Sequence, residues 1–417
     1  MILLEDAQQH LLSLARPTAI IQCPLADCLG RWLAQPLVAQ RTQPWADVSA
    51  MDGFAIAYPP PAALDSGSEY IEWPVVAAVS AQSAAPAPLA PGQAARIFTG
   101  APIPPGADQV VMQEDVASVA ALPATAPATG AATGAATPVA GGSIRIIAPL
   151  RPGAHIRRAG QDFSAGDTLL PAGTLITPAV IALAAMAGHG MLPVHARPTI
   201  HLLATGSELV PAGSTQRGLP SSNSPMLHAL LRHAGATVDD GGIVADDLPA
   251  STTAICRADA DILITTGGAS VGDHDLVKPA LHAAGWQITA HKVAIKPGKP
   301  VIIATHGHAL AVGLPGNPVS AYVTALLFVA PLIRRMMGCP APLPHHRHAP
   351  LAAPLPAGGT RVEYVRAHLG DDGRLTPMAQ RDSSILSSLA QANALVRVDI
   401  DAPPQPVGAM AAFITTA

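Results

Sequence analysis

Asp261–Asp275 reads DILITTGGASVGDHD. Ile262 to Thr265 form a short, mostly apolar strand. It runs straight into Gly267, Gly268 and Gly272, whose missing side chains let backbone N–H groups approach an anion. Asp273 and Asp275 follow at once. Working outward, the same texture repeats from about Thr199: strand IHLLAT, helix from Pro225, strand TVDDGGIV, helix from Leu248, then this segment and a helix from Leu276. Next come QITAHKVAIK, PVIIATHG and ALAVGLPG as strands, and a long helix over Pro318 to Met337. Strands that end in Gly-rich turns and feed helices predict an open α/β sheet, with ligands at the carboxyl ends of its strands.

The flanks differ. A helix is expected over Leu3 to Leu14, ended by Pro17, and a second over Leu25 to Leu33. Residues 41–142 are short apolar runs broken by Pro and Gly, which reads as a β-rich domain. It carries a low-complexity Ala, Thr, Gly and Pro loop at 117–142. We therefore expect a multi-domain α/β plus β chain of four regions. These are a discontinuous helical and linking region (1–40 and 143–196), the β-rich domain (41–142), the α/β domain (197–338) and a C-terminal β domain (339–417).

The chain has 417 residues with 28 acids against 24 bases, a net charge of −4, which argues against a general nucleic-acid binder. Its apolar runs fall short of the roughly 20 residues of a membrane span, and no secretion signal is evident. The four cysteines suit reduced, mostly buried thiols in a cytoplasmic protein, and His345, His346 and His348 a surface loop.

Of the 24 bases only Lys278, Lys292, Lys296 and Lys299 are lysines. A codon bias toward Arg explains the scarcity, but not why the survivors cluster. Read as a strand, HKVAIK puts Lys292, Ala294 and Lys296 on one face, and PGK turns Lys299 back toward the same end. Three ammonium groups there suit a phosphate or other oxyanion; a basic edge strand that deters aggregation is the alternative. Glu208, Asp246 and Asp275 fall at strand ends of the expected sheet. Each alone reads equally as a helix cap, but together beside lysines they suit Mg²⁺ bridging to an anionic ligand. In GLPGNPVSA, Gly316, Asn317 and Ser320 stand where a helix start binds anions. Asp52 of DVSAMDGFA and Thr99 of RIFTGAP read only as turn chemistry.

Taken together, SAMDGFA, FTGAPIPPGADQVVMQED, IRRAGQD, LATGSEL, TTGGASVGDHD, KVAIKPGKP and GLPGNPVSA, in order from about residue 49 to 321, resemble the molybdopterin molybdenumtransferases. These are the molybdate insertases of molybdenum-cofactor synthesis, related to the E domain of gephyrin. The resemblance implies an elongated four-domain subunit in a homodimer, with active sites between the α/β domain of one subunit and the β domain of the other. It implies adenylylated molybdopterin and molybdate as substrates, Mg²⁺ as helper and AMP as product. Asp52, Thr99, Asp162, Glu208, Asp246, Asp275, Lys292 and Lys296 would be the catalytic residues, with Glu208, Asp246 and Asp275 at the metal. Gly267, Gly268, Ser270, Gly272, Lys299, Gly316 and Asn317 would bind substrate. Ser320, Arg361, Arg366 and Ser383 would complete a molybdate pocket. Ser207, Gln161 and His155 depart from the usual pattern but leave Glu208 and Asp162 in place. The adenylyltransferase of the same pathway, a possible partner, would not need MDG or FTGAPIPPGAD. A gephyrin-like scaffold would not need the acids and lysines.

Overall fold

The computed structural model describes residues 1–59, 71–83, 86–118, 142–268 and 276–416. Two compact units divide the chain: Met1–Gln35 with Pro171–Ile181 and Met191–Ala417, and Pro36–Leu170 with Ala182–Gly190.

The first unit contains the expected α/β sheet. Its strand order is Thr237–Val244, Thr199–Thr205, Ile262–Thr266, Ala309–Leu314, Ile302–His306 and Gln287–His291. The first four are parallel, Ile302–His306 runs antiparallel to them, and Gln287–His291 pairs antiparallel with Ile302–His306. Ile262–Thr266 is buried at every position, as a central parallel strand covered on both faces must be. Ile200, Leu202 and Ile264 pack on one face with the helix Asn223–His233 and the long helical stretch Pro318–Met336. Leu203, Leu263 and Ile302 pack on the other with Ile255 and Leu281. Chain order reverses between Thr199–Thr205 and Ile262–Thr266, so the crevice where ligands gather in such sheets opens at Thr205 and Thr266.

The helical stretch Pro318–Met336 is long and apolar enough to cross a membrane, but 83% of its most apolar window is buried in this unit. Its middle, Ala325–Val329, widens into a π-helix. Widened turns leave backbone carbonyls poorly paired. The Gln8 amide, from the N-terminal helix Leu4–Leu14, donates to the Leu327 carbonyl at 2.8 Å and satisfies one. The expected helix over 25–33 is only a 3₁₀ turn, Leu25–Asp27. The residues after it bridge to Leu175 and Val194, so tertiary pairing overrides local helix preference there.

The expected continuous strand QITAHKVAIK also breaks. Gln287–His291 belongs to the α/β sheet, whereas Ile295–Lys296 lies parallel to Val362–Leu369 in a second six-stranded sheet. Lys292 between them has φ 65°, a left-handed conformation uncommon for a side-chain-bearing residue. Val293, Ala294 and Ile295 are all buried, so the expected alternation does not hold across the kink.

The second unit is built on a six-stranded sheet ordered Gln109–Met112, Gly53–Ile56, Ala94–Ile97, Glu72–Val79, Gly142–Ile146 and Val116–Ser118. Alternate side chains fill different cores: Phe54 and Ile56 join Trp73 and Ile144, while Ala55 joins Ile97 and Val110.

Candidate functional site

A cleft of about 710 Å³ opens at the carboxyl ends of the parallel strands, at the reversal point. Its walls include Thr205, Glu208, Asn223, Asp246, Gly267 and Gly316. The glycine turn is there for steric reasons. Gly267 has φ 94°, and a Cβ on it would stand 2.3 Å from the Thr205 carbonyl oxygen. Gly268 lines the same cleft. Asp246 and Ser207 clasp each other: the Ser207 N–H donates to Asp246 Oδ2 at 2.9 Å, and the Asp246 N–H to Ser207 Oγ at 2.9 Å. This joins the loops after two neighbouring strands and places Asp246 on the cleft wall beside the loop that carries Glu208.

Asn223 was not singled out by spacing, since it reads as an ordinary helix start. Its Nδ2 donates to Thr266 Oγ1 at 2.8 Å and to the Gly316 carbonyl at 2.7 Å, tying two loops of the cleft together. Its Oδ1 is buried with no partner among the described residues, as is the Thr205 hydroxyl. Buried polar atoms normally find a partner, so both orphans on this wall mark a polar binding surface.

A second cavity of about 270 Å³ shares Pro300 and Ser320 with the cleft. It is lined by Lys296, Lys299, Arg361, Arg366 and Arg381, with Glu363 among them. The kinked segment explains how these meet. Parallel pairing sets Lys296 against Glu363, and the turn at Gly298 brings Lys299 to the same wall. A Cβ on Gly298, at φ 111°, would come 2.3 Å from Thr324 Cγ2. Arg361 donates to the Ile295 carbonyl at 3.2 Å. Arg366 is buried and donates to the carbonyls of Gln380, Asp382 and Ile385, which holds the loop that carries Ser383. Burial lowers the Arg366 guanidinium from its ordinary value, partly offset by Asp382. Ser383 is joined to the α/β domain twice. Its Oγ accepts from Asn317 Nδ2 at 2.9 Å, and its carbonyl from the Val319 N–H at 3.1 Å.

In the β unit, Asp52 and Thr99 meet directly. Asp52 Oδ1 accepts from the Thr99 N–H at 2.7 Å and from its hydroxyl at 2.8 Å. The backbone bond first, then the hydroxyl, holds the Asp52 carboxyl below the usual range. Arg96 lies between Phe54 and Phe98, 5.1 and 5.0 Å from their ring centroids, and donates to the Gly53 carbonyl. The turn is thus fixed from both sides. Asp162 is exposed in the loop whose backbone bonds Gln43, near Asp47, which accepts from Arg158 and the Ala159 N–H.

The residues expected from sequence therefore fall in three places. Glu208, Asp246, Gly267, Gly268, Gly316, Asn317 and Ser320 line the strand-end cleft, and Lys296, Lys299, Arg361, Arg366 and Ser383 the cationic cavity, with Ser320 common to both. Asp52 and Thr99 form a pair in the other unit. Lys292 lines neither cavity; its backbone carbonyl instead accepts from the Ile2 N–H at 3.1 Å. Ser270, Gly272 and Asp275 lie outside the described residues, as does most of the 117–142 loop. Glu363 and Arg381 escaped sequence reading, because nothing local pairs Glu363 with Lys296 or Arg381. No cluster of three metal-ligating His, Cys, Asp or Glu side chains occurs among the described residues.

Comparison with known proteins covers the whole length. Residues 2–188 match the MoeA N-terminal region (domain I and II), 201–335 a probable molybdopterin binding domain, and 348–414 the MoeA C-terminal region (domain IV). The molybdopterin molybdenumtransferase 2 of Mycobacterium tuberculosis is 35% identical over 95% of this chain and 95% of its own. The molybdopterin molybdenumtransferase of Bacillus subtilis is 34% identical over 89% of this chain and 84% of its own. A crystal structure of the molybdopterin biosynthesis MoeA protein from Pyrococcus horikoshii superposes with a TM-score of 0.80 at 25% identity, covering 100% of both chains.

Proposed function

This chain belongs to the molybdopterin molybdenumtransferase family, and on that premise we propose how its two cavities divide the work of inserting molybdenum into molybdopterin. The carrying observation is that a cationic cavity adjoins the strand-end cleft across Pro300 and Ser320. The cleft takes adenylylated molybdopterin, with the glycine turn and the Gly316–Ser320 loop against its phosphates. The smaller cavity takes molybdate between Lys296, Lys299 and Arg361, with Ser383 donating to an oxygen. Arg366 contributes its charge and holds the loop, since its hydrogen bonds are already committed.

The family resemblance implies Mg²⁺. Glu208 and Asp246 fit it chemically: both are carboxylates on the cleft wall, and a hard cation bound by one or two carboxylates keeps sites for water and substrate phosphate. They would hold the ion, and Asp275 is assigned the same role by its motif. The ion would neutralise charge on the phosphoanhydride. Glu208 and Asp246 orient the water that cleaves the adenylate, and AMP leaves. Asp52 and Thr99, held rigidly and facing solvent, suit presentation to the cavities of a second subunit in a homodimer. By motif, Asp162 is assigned a catalytic role and Lys292 the hold on molybdate or the terminal phosphate, although Lys292 lines neither cavity. A cytoplasmic compartment is supported by four cysteines that are all free thiols.

The test is turnover. Purified protein given adenylylated molybdopterin should release AMP only when molybdate is supplied. A scaffold would bind without turnover, and an adenylyltransferase would consume ATP; either result rejects the proposal.

A further inference from the structure

Glu363 is an anion on the wall of a cavity otherwise lined by cations. Its Oε1 lies 3.2 Å from Lys296 Nζ and 3.4 Å from Arg381 Nη1, and its side chain is only 13% exposed. Both ion pairs use the same oxygen, while Oε2 accepts no hydrogen bond among the described residues. The charged groups that line the cavity with it are Lys296 and Lys299 from the kinked segment, Arg361 and Arg366 around its own strand, and Arg381 from the loop beyond. A tetrahedral oxyanion drawn in by these cations meets the Glu363 carboxylate in a space of about 270 Å³. Two oxygens bearing negative charge repel at such range, whereas one proton between them makes a strong charge-assisted hydrogen bond.

We propose that Glu363 is a specificity-determining residue that admits oxyanions carrying, or readily taking up, a proton and turns away those that do not. This rests on the reading of the cavity as an oxyanion site. Molybdate and sulfate have the same charge and shape, so a purely cationic pocket separates them poorly. They differ in basicity: molybdate accepts a proton more readily than sulfate, and hydrogen phosphate already carries one. A site that hydrogen-bonds a ligand O–H rejects the analogue lacking it, because its own buried acceptor is left facing a like charge. Glu363 would thus sort these anions by basicity.

Calorimetric titration of the full chain with sodium phosphate, molybdate and sulfate tests this, run at pH 7 in two buffers of different ionisation enthalpy. Native protein should bind sulfate at least about tenfold more weakly than molybdate, the scale of one lost charge-assisted bond. Molybdate binding should take up a measurable fraction of a proton, up to about one. Glu363→Gln offers a neutral amide that can donate as well as accept; it should tighten sulfate by about tenfold and abolish proton uptake. Equal sulfate-to-molybdate ratios in the two proteins, or molybdate binding to native protein without proton uptake, would overturn the proposal. The proton count on native protein needs no variant, so it decides even if Glu363→Gln does not fold. If native protein binds none of the three anions, the oxyanion reading of the cavity falls as well.

Discussion

The strand-end cleft is walled by glycine turns, hydroxyls, two amides and two carboxylates, whereas the cavity beyond Pro300 and Ser320 is walled by five cations and Glu363. The two also arise differently. Cleft residues sit at the ends of consecutive strands of one sheet, where topology alone brings them together. The cationic cavity needs two sheets, a kinked connection and the Asp382–Ile385 loop held by Arg366. On the proposed reading, neutral or metal-assisted recognition in one and anion capture in the other would keep opposite charges from cancelling.

If the cavities divide labour in this way, substitutions should separate their effects. The largest is expected for Lys296→Ala: metal insertion should fall roughly 30- to 100-fold, about 2–3 kcal/mol for a lost charge-assisted contact. Adenylylated molybdopterin should still bind, by fluorescence titration. Equal losses in binding and insertion would merge the two sites. Gly267→Ala places a side chain against the Thr205 backbone at positive φ and should lower stability by about 1–3 kcal/mol, read as a reduced melting temperature. Its binding defect should appear in the cleft ligand and spare inorganic anions. Asn317→Ala removes the bond to Ser383 across the shared wall; about 1 kcal/mol, or roughly fivefold weaker molybdate binding, is expected. No change in molybdate affinity would show that Ser383 is held by the Val319 bond alone.

The smallest effect belongs to the β unit. Asp52 is stabilised as a carboxylate in the folded state, so this contribution is present above the ordinary carboxyl range and is lost as pH falls through the lowered folded value. Thr99→Ala should move the Asp52 titration upward in carbon-detected NMR and, because this stabilisation is present at neutral pH, lower neutral-pH stability slightly. An unmoved titration would mean that the Thr99 N–H alone sets it.

Sequence reading reached the cleft better than the cavity, for a physical reason. Ile262–Thr266 and its neighbours are buried on both faces, so each strand is a short apolar run punctuated by glycine, a signal contained in adjacent residues. The helix expected at 25–33 failed because long-range pairing decides that segment. The meeting of Lys296 and Lys299 was legible but not the geometry of their strand, since a period of two assumes extended backbone and Lys292 is left-handed. Lys296 and Arg381 are drawn to Glu363 across separations that no local pattern encodes. The Asp52–Thr99 pair looked like turn chemistry because the two partners stand 47 residues apart in the chain.

The kink at Lys292 has a consequence for how this chain tolerates length changes. Either sheet fixes its own strand, so the few residues between His291 and Ile295 act as a phase-setter between two rulers. Removing one of them would leave both sheets intact, yet advance the parallel pairing by one step and set Pro297, not Lys296, opposite Glu363. An insertion would set Ile295 there instead. Either change would leave a folded protein whose cationic cavity has lost its pairing, so chain length in this short connection is under tighter constraint than residue type.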